Sequence, residues 1–406
     1  MSLRKKDTLI SLVGIVTGQL ILFACFSVIG RHWGVEELGR LNSSLSLGMF
    51  LGTVLALRYE LACVQDNQRK SYEALIHTVL IAALSLVFLS LIVNIWNIAS
   101  ADLILVFSAT FLLQQASGLY LNTLRKYKLI AAIKVASSLG LVISLSALAA
   151  TNNLSNTFEV FTYINLIFSS AVFFIIVKLN GRVKVGLLYF KENSKFPRYT
   201  LPATFLNAAI LYSLPIIIPF LFGAATAGFF AVTQRIGFFP VSLSAQSISG
   251  IYRRELVSSI TSNREGVLDI FFSHFRFLVV VAVLYLVVGN ILFGMVVEML
   301  FGQGWGESAS YFHALSPLYA MQVIYIPLSQ VFMVSNNQRK DLVIQSVLFV
   351  VSGSSLFSAY VWGLDVVGAL ILFSASSVVA LMIGVWLTYS TTYSICDLSV
   401  HKEEEL

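Results

Sequence analysis

Twelve long apolar stretches alternate with polar gaps along the chain, and only every second gap is rich in positive charge. All but three of the 26 Lys and Arg residues lie in the terminal segments or in these basic gaps. The exceptions are Arg31 and Arg40, in the intervening gaps, and Arg235, inside an apolar stretch. Cytoplasmic loops of membrane proteins keep Lys and Arg, whereas translocated loops lose them. The pattern predicts a multi-pass protein of the bacterial inner membrane with both termini in the cytoplasm.

Each apolar stretch is long enough to cross the hydrocarbon layer, which takes about 20 helical residues. Numbered in chain order, the predicted spans are 8–30, 38–57, 75–97, 102–123, 129–150, 158–178, 201–222, 224–248, 277–300, 309–334, 342–362 and 366–388. The short gap at Gly223 makes spans 7 and 8 a tight hairpin. The predicted fold class is an all-α integral membrane protein with about 12 transmembrane helices in two six-helix lobes around a central cavity.

Composition agrees with a membrane protein, since 57% of the residues are hydrophobic and only 11% are charged. The net charge of +6 reflects insertion bias and an anionic inner leaflet, so no nucleic-acid partner is expected. Three cysteines without ligand spacing predict neither a disulfide framework nor a metal site. The chain has no GxxxxGK[ST] loop and no other sequence-local catalytic motif, so we expect neither a cofactor nor an enzyme.

The longest polar interval between spans divides the chain into four predicted parts. These are an N-terminal lobe (1–178), a basic cytoplasmic linker (179–200), a C-terminal lobe (201–390) and a cytoplasmic tail (391–406). Membrane lipids are expected partners of such a protein. The basic linker has two interpretations, a surface for anionic head groups or ordinary positive-inside bias.

A weak internal repeat supports the two lobes. A displacement of 189 positions lays three glycines of the first half onto three of the second: Gly34, Gly39 and Gly48 onto Gly223, Gly228 and Gly237. Both halves start from the cytoplasm, so they are predicted to be parallel repeats about an axis normal to the membrane. In transporters built this way, the substrate site lies between the halves.

Arg235 is the strongest single lead to a site. A charge in the middle of a membrane helix costs about 2.5–3.5 kcal/mol on insertion scales, so it should face a cavity or a partner. Spans 7 and 8 contain no Asp or Glu to pair with it, and Gln246 continues its polar face toward the cytoplasmic end. Two interpretations remain open: a contact for an anionic substrate, or a structural arginine bonded to helix-end carbonyls.

Polar residues recur on two other spans that are expected to be central. Span 2 carries Asn42 and Ser46, and Ser46 is the position that the repeat matches to Arg235. Span 4 carries Gln115 and Asn122 at a spacing of seven. They are candidates for lining the cavity, but such residues are equally common as hydrogen-bonding contacts between membrane helices.

All seven prolines lie at or beyond Pro197, and five of them fall well inside predicted spans: Pro215, Pro219, Pro240, Pro317 and Pro327. A proline inside a helix removes a backbone donor and can kink the helix. The kinks have two interpretations, static shape or a role in gating. If they act in gating, the second half is the half that bends.

Two stretches resemble a known family. Arg58-Tyr59-Glu60 at the end of span 2 resembles a segment of bacterial polysaccharide flippases. Phe301-Gly302, Pro317-Leu318-Tyr319 and Pro327-Leu328-Ser329-Gln330 resemble the span 9–10 region of O-antigen and related polysaccharide exporters. These belong to the multidrug/oligosaccharidyl-lipid/polysaccharide exporter superfamily, and the resemblance in length and span number covers essentially the whole chain.

The resemblance implies a function. It implies movement of an undecaprenyl-diphosphate-linked oligosaccharide, such as an O-antigen repeat unit for lipopolysaccharide, from the cytoplasmic to the periplasmic leaflet by alternating access. In this interpretation Arg235 engages the diphosphate, and other polysaccharide assembly proteins are further partners.

Two alternatives remain. The first is a cation-coupled multidrug or small-molecule antiporter of the same superfamily, in which an acidic residue in span 1 is common; none lies between Thr8 and Gly30 here. The second is an O-antigen polymerase or ligase. Those enzymes carry a large periplasmic loop, for which the gaps of this chain leave no room.

Overall fold

The computed structural model describes residues 3–64, 67–96, 101–151, 157–181, 183, 186–262, 266–335 and 337–403. By their contacts these residues form two compact units, Met1–Gly228 and Phe229–Leu406. In the described part of the chain, all regular structure is helical. The all-α class predicted from the sequence is therefore confirmed.

The first unit contains the first eight helices and the start of the ninth. They are α1 (Leu3–His32), α2 (Gly34–Val54), α3 (Gln68–Ile95), α4 (Ala101–Thr123), α5 (Tyr127–Ala150), α6 (Thr157–Asn180), α7 (Leu187–Glu192) and α8 (Leu201–Phe222). A short 3₁₀ helix (Tyr59–Cys63) follows α2, and a π-helical turn (Phe196–Thr200) leads into α8. The chain then turns at Gly223 and enters α9 (Ala224–Ser262). The φ of Gly223 is 93°, a value that glycine adopts without steric cost. The predicted short connection between spans 7 and 8 is confirmed, and their packing as a tight hairpin stays a prediction.

The second unit contains the remainder of α9 and five further helices. They are α10 (Val267–Phe301), α11 (Glu307–Leu328), α12 (Gln330–Val334), α13 (Gln338–Val361) and α14 (Val366–Glu403). Its core is aromatic where α10 meets α11. The rings of Phe293 and Phe312 stack with centroids 4.1 Å apart, and Phe312 also covers the backbone at Gly237 and Gly289.

Nine of the described helical segments are long and apolar enough to cross a membrane. The predicted spans 1, 2 and 8 fall on α1, α2 and α9, so each of the twelve predicted spans corresponds to a helix. The polar residues of α2 and α9 lower their hydropathy, and these two helices carry most of the candidate site. The lipid-facing helices instead expose large apolar side chains, such as Phe88, Ile95 and Ile291. Such exposure is expected where the surrounding solvent is lipid.

Several helix ends differ from the predicted spans. Span 2 was expected to reach residue 57, but α2 ends at Val54 because Leu57 and Arg58 adopt left-handed backbone, with φ of 51° and 67°. In contrast, α9 extends well beyond residue 248. Backbone hydrogen bonding does not stop at the edge of the hydrocarbon, so hydropathy alone cannot locate such ends.

The contact-based units also differ from the predicted lobes. The predicted C-terminal lobe begins at residue 201, whereas α8 packs within the first unit. The hydroxyl of Ser43 on α2 donates a hydrogen bond to the carbonyl oxygen of Pro215 on α8, and the rings of Phe50 and Phe205 lie edge to face. The division into two lobes joined by the linker 179–200 stays a prediction.

Candidate functional site

The buried polar face of α2 carries two of the candidate residues. Asn42 is 2% exposed and Ser46 is 6% exposed, so both side chains are removed from lipid and water alike. Gly48 and Gly52 lie on the same helix, where the ring of Phe107 and the carbonyl of Ser108 approach their backbones from α4. Glycine allows this close approach, and it fixes α2 against α4.

Ser43, which was not predicted from the sequence, completes the hydrogen bonding of α8, a helix that contains two internal prolines. Pro219 has no backbone N–H, so it cannot bond the carbonyl of Pro215 four residues earlier. The Ser43 hydroxyl lies 2.7 Å from that carbonyl oxygen and donates to it from α2. A buried carbonyl left without a donor costs about 1–3 kcal/mol. The Pro215–Pro219 spacing was the signal that such a donor was needed, but it did not say which helix supplies it.

The two candidates on α4 differ in exposure. Gln115 is half-buried, whereas Asn122 is exposed near the end of the helix, where its backbone carbonyl accepts from the Arg125 N–H. α4 packs along α2 in the same unit, so Gln115 shares a helix pair with Asn42 and Ser46. Their contribution to a site stays a prediction.

Arg235 lies on α9, in the second unit, and its side chain is half-buried with a buried Nε. The helix turn before it is fixed by Thr233, whose hydroxyl donates to the carbonyl of Ser308 on α11. Beyond it, the Ser242 hydroxyl donates to the carbonyl of Phe239 on its own helix. The side chain of Gln246 lies outside the described residues. The structure thus places one cation within the apolar length of α9, on a helix held firmly against its neighbour.

The Arg58-Tyr59-Glu60 motif forms a buried corner. Arg58 Nη1 and Glu60 Oε1 lie 2.7 Å apart, and their side chains are 15% and 1% exposed. Burial raises the pKa of the Glu60 carboxyl, and the neighbouring Arg58 charge partly opposes that rise. The left-handed backbone at Arg58 makes this short-range ion pair possible, since it reverses the chain immediately before Glu60.

A segment of the predicted linker packs against this corner. The ring of Tyr59 lies edge to face with that of Phe190, and its hydroxyl is 3.4 Å from the Phe190 carbonyl oxygen. The ring of Tyr189 stacks on His77 with centroids 4.1 Å apart. His77 donates from Nδ1 to the Glu73 carbonyl and accepts at Nε2 from the Gly186 N–H, which identifies the neutral Nδ1–H tautomer.

Chemical groups other than this ion pair are inert at the corner. Burial raises the pKa of the Cys63 thiol to about 12, so the thiolate that would react or bind metal is suppressed. The Cys63 carbonyl accepts from the hydroxyls of Ser71 and Thr123, which tie the corner to α3 and α4. In the described residues, no group of three or more His, Cys, Asp or Glu side chains is placed to hold a metal ion. The corner therefore has the features of a structural element.

The glycine pairs of the internal repeat occupy matched environments. Gly34 and Gly223 both have positive φ and introduce α2 and α9. Gly48 and Gly237 both lie under aromatic rings, from Phe107 in one case and from Phe312 and Tyr319 in the other. The third pair, Gly39 and Gly228, lies where the two helices cross. The displacement of 189 positions therefore relates glycines that have similar backbone conformations or similar packing contacts.

No protein-family model matches the chain, and no curated protein matches it by sequence. Solved transporter structures nevertheless share its fold over nearly the whole length. A structure described as the lipid II flippase MurJ in an inward closed conformation gives a TM-score of 0.68 at 13% identity, covering 97% of this chain and 91% of that chain. This chain therefore shares its fold with a solved membrane transporter.

Two multidrug transporters have the same architecture. An inward-facing MATE family transporter of the MOP superfamily gives a TM-score of 0.62 at 12% identity, covering 95% of this chain and 98% of that chain. The MATE multidrug transporter DinF-BH, solved as a complex with a ligand, gives 0.62 at 12% identity, covering 95% and 94%. Identities this low establish the fold alone. They confirm the predicted fold class of about 12 membrane helices.

Proposed function

We propose that this protein is a flippase that carries an undecaprenyl-diphosphate-linked oligosaccharide from the cytoplasmic to the periplasmic leaflet by alternating access. The observation that carries the proposal is Arg235, a half-buried cation within the apolar length of α9. A diphosphate with its sugars cannot enter hydrocarbon without a polar shelter, while a polyprenyl tail remains soluble in lipid. A guanidinium offers the two parallel donors that a phosphate accepts.

The fold and the motifs support the same proposal. A protein described as a lipid II flippase shares the fold over 97% of this chain, so the architecture accommodates lipid-linked cargo. Arg58-Tyr59-Glu60, the motif that resembles a segment of polysaccharide flippases, forms the corner that follows α2. Of the predicted cavity residues, the half-buried Gln115 would contribute a neutral hydrogen-bonding group for sugars, whereas the buried Asn42 and Ser46 would do so only in a conformation that exposes them. The function proposed is transport, with no chemical step on the cargo.

The second candidate is a multidrug or small-molecule antiporter, since two structures with this fold are described as multidrug transporters. A pocket for organic cations would require buried negative charge. In the described part of the chain, Glu60 is a fully buried acid, and it is paired with Arg58 at the corner. Arg235 has the opposite sign. These charges favour anionic cargo.

The experiment replaces Arg235 in cells that depend on this chain for surface glycan. We expect Arg235→Ala to reduce surface glycan by roughly thirtyfold and to accumulate lipid-linked repeat units on the inner leaflet, because a charge-assisted contact is worth about 2 kcal/mol. Arg235→Lys should recover only part of the activity, since an ammonium cannot reproduce the bidentate geometry.

The matched control is Arg254→Ala, which removes the same charge from the exposed, distal part of α9. It should leave surface glycan unchanged. Normal glycan in Arg235→Ala at equal protein level would remove Arg235 from the mechanism. Efflux of lipophilic cations that depends on the chain, without any effect on glycan, would establish the antiporter instead.

A further inference from the structure

Two hydrogen bonds from neighbouring helices hold the backbone of α9 on either side of Arg235. Before it, the hydroxyl of Thr233 lies 2.8 Å from the carbonyl oxygen of Ser308 on α11, and both residues are 0% exposed. After it, the hydroxyl of Tyr285 on α10 lies 2.8 Å from the carbonyl oxygen of Gly237 and donates to it. All of these residues belong to the second unit. The turn that carries Arg235 is therefore attached to α11 and to α10.

The bond from Tyr285 lies where a proline weakens α9. Pro240 has no backbone N–H, so the carbonyl of Ile236, four residues earlier, lacks its usual helical donor. The missing bond belongs to the turn that follows Arg235. The Tyr285 hydroxyl supplies a donor from another helix to the next carbonyl of that turn, which is the carbonyl of Gly237. Neighbouring helices commonly stabilise a membrane helix that contains proline.

The contacts with α11 place Arg235 on the opposite side of α9. Thr233 bonds to α11, and a Cβ atom added at Gly237 would lie 2.9 Å from the ring of Phe312 and 3.1 Å from that of Tyr319, both on α11. Since a helix has about 3.6 residues per turn, Thr233 and Gly237 share a face, and Arg235 lies on the other side. The Arg235 side chain therefore leaves α9 away from α11, and its direction depends on how these contacts hold the helix.

We propose that Tyr285 and Thr233 are positioning residues, which fix the direction of the Arg235 guanidinium for contact with the phosphate groups of the cargo. The proposal rests on the proposed function, because it assigns the cargo contact to Arg235. A guanidinium binds phosphate through two parallel donors, so the contact depends on the orientation of the group. A turn that is held at both ends keeps this orientation before the cargo binds, which lowers the entropy cost of binding. Both hydroxyls act through the backbone of α9.

The test is a double-mutant cycle on the transport of a fluorescent undecaprenyl-diphosphate oligosaccharide by the purified chain in sealed vesicles. Tyr285→Phe removes only the hydroxyl, and it should slow transport about fivefold when Arg235 is present, the loss expected for one hydrogen bond between membrane helices. In an Arg235→Ala background the same change should slow transport less than about twofold, because the group that Tyr285 positions is gone. An equal loss in both backgrounds, or no loss in either, would overturn the proposal.

Thr233 is tested with two variants that separate the hydroxyl from the shape of the side chain. Its hydroxyl also lies 3.0 Å from the Phe229 carbonyl oxygen of its own helix. Thr233→Ser keeps the donor and should keep transport within about twofold of the wild-type rate, whereas Thr233→Val keeps the shape and should slow transport about fivefold. Equal rates in the two variants would overturn the proposal for this residue.

The matched control is Tyr325→Phe, which removes another buried hydroxyl of the second unit, one that bonds to Asp341 on α13. It should change transport less than about twofold, because this bond does not hold α9. A loss equal to that of Tyr285→Phe would overturn the proposal. Normal transport by Arg235→Ala would instead contradict the proposed function. Slow transport by Arg235→Ala with normal transport by Tyr285→Phe would contradict the positioning role alone.

A second measurement contains no cargo. A spin label is attached at Arg235→Cys, in a chain whose native Cys25, Cys63 and Cys396 are replaced by serine. Adding Tyr285→Phe should increase the mobility of the label, since the turn loses its attachment to α10, and adding Tyr325→Phe should leave the mobility unchanged. Equal mobility with and without the Tyr285 hydroxyl would show that this bond does not fix the turn, and it would overturn the proposal.

Discussion

α2 and α9 begin alike and end differently. A glycine with positive φ is the first residue of α2 and immediately precedes α9; each helix then contributes one glycine to their crossing and places another under aromatic rings. From there α9 continues as a single helix to Ser262, whereas α2 ends at Val54 and enters the Arg58–Glu60 corner. The shared part is the part nearest the crossing. The two helices are therefore alike near their crossing and differ at their other ends.

The difference at these ends has a local cause. The repeat matches Arg58 to Ser247 and Glu60 to Ser249. In α2 the ion pair and the left-handed backbone stop the helix, and α7 packs on the corner through Tyr59. In α9 the Ser247 hydroxyl donates to the Leu243 carbonyl within the helix, which continues. A hydroxyl that donates to a carbonyl of its own helix allows the helix to continue. An ion pair between residues only two positions apart, such as Arg58 and Glu60, requires the chain to leave the helical conformation.

The largest expected effect on stability is at the corner. Glu60→Gln should lower the free energy of unfolding by about 3 kcal/mol, because it leaves the largely buried Arg58 without its counter-ion. The matched control is Glu73→Gln, which breaks the Arg69–Glu73 pair, where the arginine is 81% exposed. That change should cost less than about 0.5 kcal/mol. Denaturation of the purified variants measures both. Equal costs would show that the corner does not depend on its ion pair.

The next effect concerns the bond that ties α2 to α8. Ser43→Ala should cost about 1 kcal/mol, because the Pro215 carbonyl loses its donor in an environment without water. In a Pro219→Ala background the new backbone N–H can satisfy that carbonyl, and Ser43→Ala should then cost almost nothing. A double-mutant cycle measures the coupling. The same cost in both backgrounds would show that the Ser43 hydroxyl does not replace the backbone donor that Pro219 lacks.

The smallest effect tests the left-handed backbone before the corner. Leu57→Gly should raise stability by about 0.5 kcal/mol, because glycine adopts positive φ without the steric penalty of a Cβ. Leu80, in the interior of α3, has the same exposure of 38%. Leu80→Gly should instead lower stability by about 1 kcal/mol. Opposite signs of the two stability changes, at equal side-chain exposure, would show that the left-handed backbone at Leu57 is strained. Equal signs would contradict this explanation.

Much of the fold could be predicted because membrane helices are set by length, hydropathy and charge. The twelve spans and the short connection at Gly223 follow from those patterns alone. The end of α2 could not be predicted, since Leu57 and Arg58 have no turn-forming sequence and adopt left-handed backbone only with the packing around Glu60 in place. The extension of α9 beyond residue 248 could not be predicted either, because a polar helical segment outside the hydrocarbon has no hydropathy signal.

The candidate site divides in the same way. A charge inside an apolar stretch identified Arg235, and helical spacing identified the face of Asn42 and Ser46. Ser43 was missed because its task depends on which helix lies against Pro215, and sequence spacing does not carry that information. The glycine repeat was visible as a spacing, yet the close approach of Gly39 to the Ala224 carbonyl, and of Gly228 to the Val35 carbonyl, required three-dimensional placement.

The most direct measurement of the central claim is transport by the purified protein in sealed vesicles. The cargo is a fluorescent undecaprenyl-diphosphate oligosaccharide, and tetraphenylphosphonium serves as the cationic comparison. We predict that the wild-type chain moves the lipid-linked glycan between leaflets, that Arg235→Ala slows this movement by roughly thirtyfold, and that the cation is not transported. Transport of the cation with no movement of the glycan would contradict the account.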